Sequence, residues 1–379
     1  MADTLTIPGV VDLHVHFREP GDNKAETIKS GSQAALLGGY VLVCDMPNNP
    51  GNPTWSLERL SKKQAIITRS SYIPMAAYAG SQPDSNNLEE LAAMAPQAIG
   101  LKLYGAATTG NHVDYEPEDF AAIVKQWHKV APHKPIMLHS GKDNLQGFID
   151  LIAGSNSHPL HVCHIFSLAH AKLAIKAKKS GLSVTSAVCP HHLFKSSHHA
   201  TTEGWFARMQ PPLLHQDEAE ELFKLFAAGK IDILETDHAP HLLQNKWAAE
   251  HENPEGIHDP GHLTCYGVPG IEFALPLLFY QMQKGRISLE RIVEATSTKP
   301  AEVIGVKLSR GTMVTWKMDA YRIGEQYPKG LSGSGWTPYL NNIAVGRVET
   351  VKIGGKVLVK NGKIINKDPR IIASRGQTI

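Results

Sequence analysis

Cysteine is scarce in this 379-residue chain: Cys44, Cys163, Cys189 and Cys265 are the four present, and none sits at a paired spacing. That excludes a disulfide framework and favours a reduced, cytoplasmic protein. Long apolar runs are also missing. The longest nearly apolar stretch, Ile271 to Tyr280, is too short to span a bilayer. The first ten residues carry neither a basic n-region nor a long apolar h-region, so export by a signal peptide is not expected. Nor does charge of one sign dominate: 38 Lys and Arg against 36 Asp and Glu leave a formal net charge of +2. This predicts no strong pull toward nucleic acid or an anionic membrane. Internal repeats and low-complexity segments are absent.

What is present suits a globular protein with a sizeable core: 42% hydrophobic and 20% charged residues. The length allows one large domain with an appendage, or two ordinary domains. Short β-rich apolar runs recur at Val10 to His16, Tyr40 to Met46, Ser71 to Ala79, Ala98 to Tyr104, Pro135 to His139, Pro159 to Ile165, Leu182 to Val188 and Ile231 to Thr236. Helical patterns such as Pro117 to Val130, Ala169 to Lys179 and Asp217 to Ala228 lie between them. Strands alternating with helices point to parallel βα units, and eight such units closing on themselves make an α/β protein of the (β/α)8 TIM-barrel type. A doubly wound open sheet is the alternative, but no GxGxxG follows the first strand. Past the helical pattern Leu289 to Thr298 come the strand-like runs Met313 to Trp316, Val348 to Ile353, Val357 to Lys360 and Lys363 to Ile365, with Gly354-Gly355 and Asn361-Gly362 as hairpin turns. The expected organisation is a barrel over 9–300, with 1–8 and 301–379 forming a reduced β appendage built mainly from the C-terminal tail.

Histidine is unusually frequent, at twenty residues, and its placement is informative. His14 and His16 close the first strand and share one face of it, because strand side chains alternate. His139 ends the fifth strand, His161-Val162-Cys163-His164 the sixth, and Asp237-His238-Ala239-Pro240-His241 follows the eighth. Catalytic groups of a barrel come from the C-terminal ends of several strands, so these positions read as one metal-binding site. His198-His199, by contrast, reads as a solvated loop. Lys102 stands between Leu101 and Leu103 in an apolar strand, where an ammonium is costly. It is either an ion-paired lysine or an amine converted by CO2 into a carbamate able to bridge two cations. Two divalent metals so bridged can lower the pKa of a shared water. Imidazole and carboxylate ligands without paired thiolates point to zinc, with manganese and cobalt left open.

Six stretches together resemble the cyclic amidohydrolases, and within them the dihydroorotase group that includes the dihydroorotase domain of the animal multifunctional pyrimidine-synthesis protein. They are the segment from Gly9 to Gly21, Asp45-Met46-Pro47-Asn48, Gly100 to Tyr104, His161 to His164, Cys189-Pro190-His191-His192-Leu193-Phe194 and Asp237 to His241, with Gly335-Trp336-Thr337-Pro338 extending the match. The resemblance implies one zinc on His14 and His16, a second on His139 and His164, a carboxylated Lys102 as bridge, and Asp237 as metal contact and proton shuttle. It implies that Cys163 and His192 can engage a third zinc. It implies that Arg18, Asn48 and His241 hold a substrate carboxylate, that Gln210 stands at a substrate-contact position, and that Thr108 belongs to a mobile active-site loop, Gly105 to Gly110. The implied reaction is reversible cyclisation of N-carbamoyl-L-aspartate to L-dihydroorotate and water in pyrimidine biosynthesis. A homodimer and association with aspartate transcarbamoylase are implied as well.

Three departures stand beside the likeness. Gln210 replaces the Asn or Arg of relatives, the stretch from Leu242 to His262 is longer than in the animal domain, and only eight residues precede Gly9. Two other readings remain: a hydantoinase- or allantoinase-type ring hydrolase, and an inactive homologue that scaffolds aspartate transcarbamoylase. Arg18 argues against the first, since only dihydroorotate among these rings carries a carboxylate. Intact ligands argue against the second.

Overall fold

The structure is a computed structural model that describes residues 3–21, 24–108, 113–256, 265–324, 332–373 and 375–379. Its strands are β1 (Thr4–Pro8), β2 (Val10–Val15), β3 (Tyr40–Asp45), β4 (Met75–Ala77), β5 (Ala79–Ser81), β6 (Leu101–Tyr104), β7 (Ile136–His139), β8 (Leu160–Val162), β9 (Val184–Val188), β10 (Ile233–Leu234), β11 (Met313–Arg322), β12 (Ile343–Ile353), β13 (Lys356–Lys360) and β14 (Lys363–Ile364). From β2 to β10 every pairing is parallel, in the order β2-β3-β4 and β5-β6-β7-β8-β9-β10. β4 and β5 are one barrel strand interrupted at Tyr78. The Tyr78 backbone N–H donates to the Asp45 carbonyl (3.1 Å), and its hydroxyl donates to the Leu13 carbonyl (3.1 Å). The ring of strands closes where Val15 bridges His238 in parallel, with the His16 N–H donating to the His238 carbonyl at 2.8 Å. The fold is therefore a (β/α)8 barrel.

The barrel follows from two-sided burial. Val41, Leu42, Val43 and Cys44 in β3 are all wholly buried, one face turned to the barrel interior and the other to the helical layer. That layer includes the helices Leu57–Ser70, Ala121–Val130, Leu168–Lys179 and Gln216–Ala227. Ser56 and Ser167 cap two of them by accepting the Arg59 and His170 backbone N–H groups.

The appendage is an antiparallel sheet in the order β1-β11-β12-β13-β14, drawn mainly from the C-terminal tail. Its two tight turns use residues able to adopt left-handed backbone, Gly354-Gly355 (φ +56°, +84°) and Asn361-Gly362 (φ +53°, +69°). Trp316 anchors it to the barrel, edge-on to Phe279 at 5.1 Å between ring centroids. Its ring lies so close to Gly39 that a Cβ there would fall 2.4 Å from it.

Several elements differ from the sequence pattern. The third barrel strand begins at Met75, because the helix Leu57–Ser70 and its exit occupy the residues before it. The eighth is reduced to Ile233–Leu234. β11 and β12 are longer than their apolar runs, since register shifts between Thr315 and Trp316 and between Lys317 and Ala320 break the alternation. His198 and His199 lie on a helix, Ser197–Glu203, rather than a loop; the His199 ring accepts from the Ser196 N–H at its start (3.1 Å). The long stretch after strand eight contains the helix Leu243–Glu252, while 257–262 lie outside the described residues.

One buried ion pair connects barrel to site. Asp45, at the end of β3, accepts from Lys63 Nζ at 2.6 Å and from the Phe17 backbone N–H at 2.7 Å, with neither side chain exposed. It thereby fixes the turn that carries Arg18. Replacing Lys63 by Met should strand a buried carboxylate and destabilise the fold by about 3–5 kcal/mol. Denaturant unfolding will check this, with the Lys63→Met/Asp45→Asn double variant recovering part of the loss. A single variant as stable as wild type would contradict it.

Candidate active site

The C-terminal ends of the barrel strands converge on one cleft. It is lined by His14 and Lys102 from within β2 and β6, His139 from the end of β7, and His16, His164 and Asp237 from just past β2, β8 and β10. Arg18, Asn48, Thr108 and Gln210 line the same cleft, as do Tyr104, Ala239, Tyr266 and Gly267.

Hydrogen bonding fixes the tautomers of the first two histidines. His14 Nδ1 lies 3.1 Å from Glu235 Oε1, and a carboxylate can only accept, so Nδ1 carries the proton. His16 Nδ1 donates likewise to Asn48 Oδ1 at 2.9 Å. Both Nε2 lone pairs then face each other across 3.1 Å, with Asp237 Oδ1 at 3.3 Å and 3.0 Å from them. Three unprotonated acceptors facing one point repel unless a cation lies between them. Their spacing is near the roughly 3.3 Å of two nitrogens sharing a tetrahedral zinc. His139 Nδ1 and His164 Nε2 form a second pair, 3.0 Å apart. These groups fit a metal site.

Burial keeps the imidazoles neutral and able to ligate. The His14 pKa is pushed down to about 4 by burial, with the Lys102 charge adding to the shift. Burial also drives His16, His139 and His164 well below the usual range, and Lys102 depresses each of them too. Lys102 lines the same cleft as all four imidazoles. Wholly buried, it donates from Nζ to Cys163 Sγ at 3.3 Å. Asp237 is raised above the ordinary carboxyl range, first by burial and then by the Glu235 charge.

Two of these residues sit on strained backbone. His164 (φ +32°) and Asp237 (φ +45°) adopt left-handed conformations that ordinary side chains avoid, at a cost of order 1–3 kcal/mol each. Surrounding contacts hold them. The His164 N–H donates to Glu235 Oε1 at 2.7 Å, and the Thr236 N–H and hydroxyl donate to Asp12 at 3.2 and 2.5 Å.

The remaining predicted residues fall in varied places. Arg18 Nε donates to the Pro240 carbonyl at 3.0 Å, which aims the guanidinium along the cleft wall. Asn48 orients His16 from the cleft edge. His241 does not line the cleft; its Nε2–H donates to the Tyr266 carbonyl at 2.8 Å, and its own carbonyl accepts from Trp336 Nε1 at 2.7 Å. Cys163 and His192 belong to different clusters: Cys163 groups with His14 and Glu235, and His192 with Cys189 and His191.

The residue the sequence pattern missed is Glu235. Its Oε1 meets His14 Nδ1 and the His164 N–H, and its Oε2 lies 3.3 Å from His161 Nε2. Burial opposes its charge, yet His14 and His161 hold the carboxyl well below its usual range. The signal was available: an acid at the end of an apolar strand is the same anomaly that marks Lys102.

Barrel, clustered imidazoles and a buried carboxylate at strand ends define a metal-assisted hydrolase. The chain belongs to the amidohydrolase family, which it matches over residues 5–312. Membership implies a metal cofactor, which the converging His14, His16 and Asp237 could hold. The chain is 30% identical over 330 residues to a dihydroorotase of Bacillus cytotoxicus, covering 81% of this chain and 74% of that protein. It is 28% identical over 363 residues to the multifunctional protein CAD of Squalus acanthias, covering 95% of this chain but only 15% of the length of that protein. Among solved structures, the L-hydantoinase (dihydropyrimidinase) of Arthrobacter aurescens superposes with a TM-score of 0.84 at 22% identity, covering 97% of this chain and 88% of that one. At that identity the likeness speaks for the fold alone.

Because Glu235 fixes the His14 tautomer and the His164 backbone together, Glu235→Gln should weaken metal retention by about 10–100-fold. Metal analysis after dialysis against graded chelator will check this. Unchanged retention in a folded variant would contradict it.

Proposed function

We propose that this protein is a zinc-dependent dihydroorotase, interconverting N-carbamoyl-L-aspartate and L-dihydroorotate plus water in pyrimidine biosynthesis. The observation that carries the reading is Arg18, whose guanidinium lines the same cleft as the histidine–aspartate cluster. A ring amide bearing a carboxylate engages both ends of such a cleft; an uncharged hydantoin or dihydrouracil offers the guanidinium no carboxylate to clamp. Homology to named dihydroorotases supports the same choice.

His14, His16 and Asp237 would hold one zinc and His139 and His164 a second, with Lys102 between them as a carbamate. That carbamate forms when the neutral Nζ adds to CO2 and loses a proton. When bound, the metal pair supplies electrophilic activation of the ring carbonyl and of the attacking water. In the hydrolytic direction Asp237 takes a proton from the water whose oxygen bonds to the ring amide carbon. As the carbon–nitrogen bond breaks, the same carboxyl returns the proton to the departing nitrogen. Arg18 clamps the substrate carboxylate bidentately, with Asn48 beside it and His241 behind the guanidinium at 3.5 Å, and Thr108 and Gln210 border the bound ring. All six metal-site residues are present, which disfavours an inactive scaffold. The further assignments are a cytoplasmic homodimer and association with aspartate transcarbamoylase, the latter suggested by the likeness to the multifunctional relative.

Arg18→Ala should lower dihydroorotate turnover by about 100-fold or more, the loss of one charge-assisted bidentate contact, with bound metal unchanged by elemental analysis. Loss of metal along with activity would make Arg18 structural, and full activity would overturn the assignment of substrate.

A further inference from the structure

Cys189, His191 and His192 occupy the turn after β9 and the short helix Pro190–Phe194 that follows it. None lines the cleft described above. Their ligand atoms all lie within 4.8 Å of one another, and the residues are 0%, 1% and 0% exposed. Both ring nitrogens of His191 lack a hydrogen-bond partner among the described residues, as does Nδ1 of His192. A neutral imidazole always has one N–H and one lone pair, so burying His191 with neither satisfied carries the full desolvation penalty of both groups. His192 is more constrained still. Its Nε2 lies 3.3 Å from the Pro211 carbonyl and must carry the proton, which leaves a lone pair on Nδ1.

One thiolate and two imidazoles are a borderline-soft donor set of the kind that selects zinc.

We propose that Cys189, His191 and His192 form a structural site for one zinc-class divalent cation, separate from the catalytic cleft. Binding replaces the Cys189 thiol proton, which is released to solvent, and leaves the two imidazoles neutral. Through the His192 contact to Pro211 the cation would tie the end of β9 to the segment carrying Gln210. The ligand set differs from Cys163 with His192, since the Cys163 sulfur is engaged by Lys102. The proposal does not depend on the dihydroorotase reading, and its readouts need no turnover.

The test uses the full chain, stripped of metal and reloaded with Co2+. A sulfur-to-cobalt charge-transfer band in the near ultraviolet is expected in wild type and in Cys163→Ser. Cys189→Ser should lose the band and bind one fewer Co2+ per chain. His191→Asn, which keeps both thiols, should likewise bind one fewer. X-ray absorption of the wild-type zinc form should show a sulfur neighbour at about 2.3 Å. A wild type without the band, a band lost in Cys163→Ser but kept in Cys189→Ser, or an unchanged cobalt count in both Cys189→Ser and His191→Asn would overturn the proposal; the last would mean that water fills the cluster.

Discussion

The site depends on one buried carboxylate. Glu235 joins three groups on two strands distant from it in sequence: His14 on the first barrel strand, and His161 and the His164 backbone on the sixth and its exit. An anion with no exposure would be costly alone; these donors keep it ionised, and in turn it fixes their orientation. Through it, the tautomer of His14 and the left-handed backbone of His164 are set together. The two histidine pairs therefore stand at a fixed separation before any cation arrives. Such preorganisation lets the ligands hold a metal without rearranging the barrel.

The rest of the fold supports that arrangement. Parallel strands deliver every ligand to one face, and two-sided burial makes the strands rigid. Asp45 and Lys63 lock the turn after His16, and the Pro240 carbonyl aims Arg18. The C-terminal tail returns to the site as well: Trp336 props the His241 carbonyl, and Lys246 lies 5.5 Å over the Trp336 ring. Lys246 also donates to the Trp205 and Cys265 carbonyls at 2.7 and 2.6 Å, fastening the helix Leu243–Glu252 beside the cleft wall that holds Tyr266. The cleft wall thus draws on residues spread from the first strand to the tail.

Much of this was legible in the sequence, and what was not has physical reasons. Barrel strands show as apolar runs because both faces are buried, and His14 and His16 show as a pair because strand side chains alternate. Lys102 stood out as a charge in an apolar strand. Glu235 did not, because its meaning lies in partners 221 and 74 residues away that only closure of the barrel brings near. The lengths of β11 and β12 were hidden by bulges that interrupt their period. The grouping of His192 with Cys189 and His191, instead of with Cys163, depends on how a short helix turns its side chains, which spacing does not specify.

Arg18 and the histidine–aspartate cluster share one cleft, the pairing that a metal-dependent hydrolase of a carboxylate-bearing ring requires. Its most direct test is a substrate panel on protein stripped by chelator and reconstituted with zinc and bicarbonate. Rates would be measured on dihydroorotate, dihydrouracil, hydantoin and allantoin. The account predicts turnover of dihydroorotate that returns with zinc, and little or none of the three uncarboxylated rings. Hydrolysis of hydantoin or allantoin with dihydroorotate untouched would contradict it.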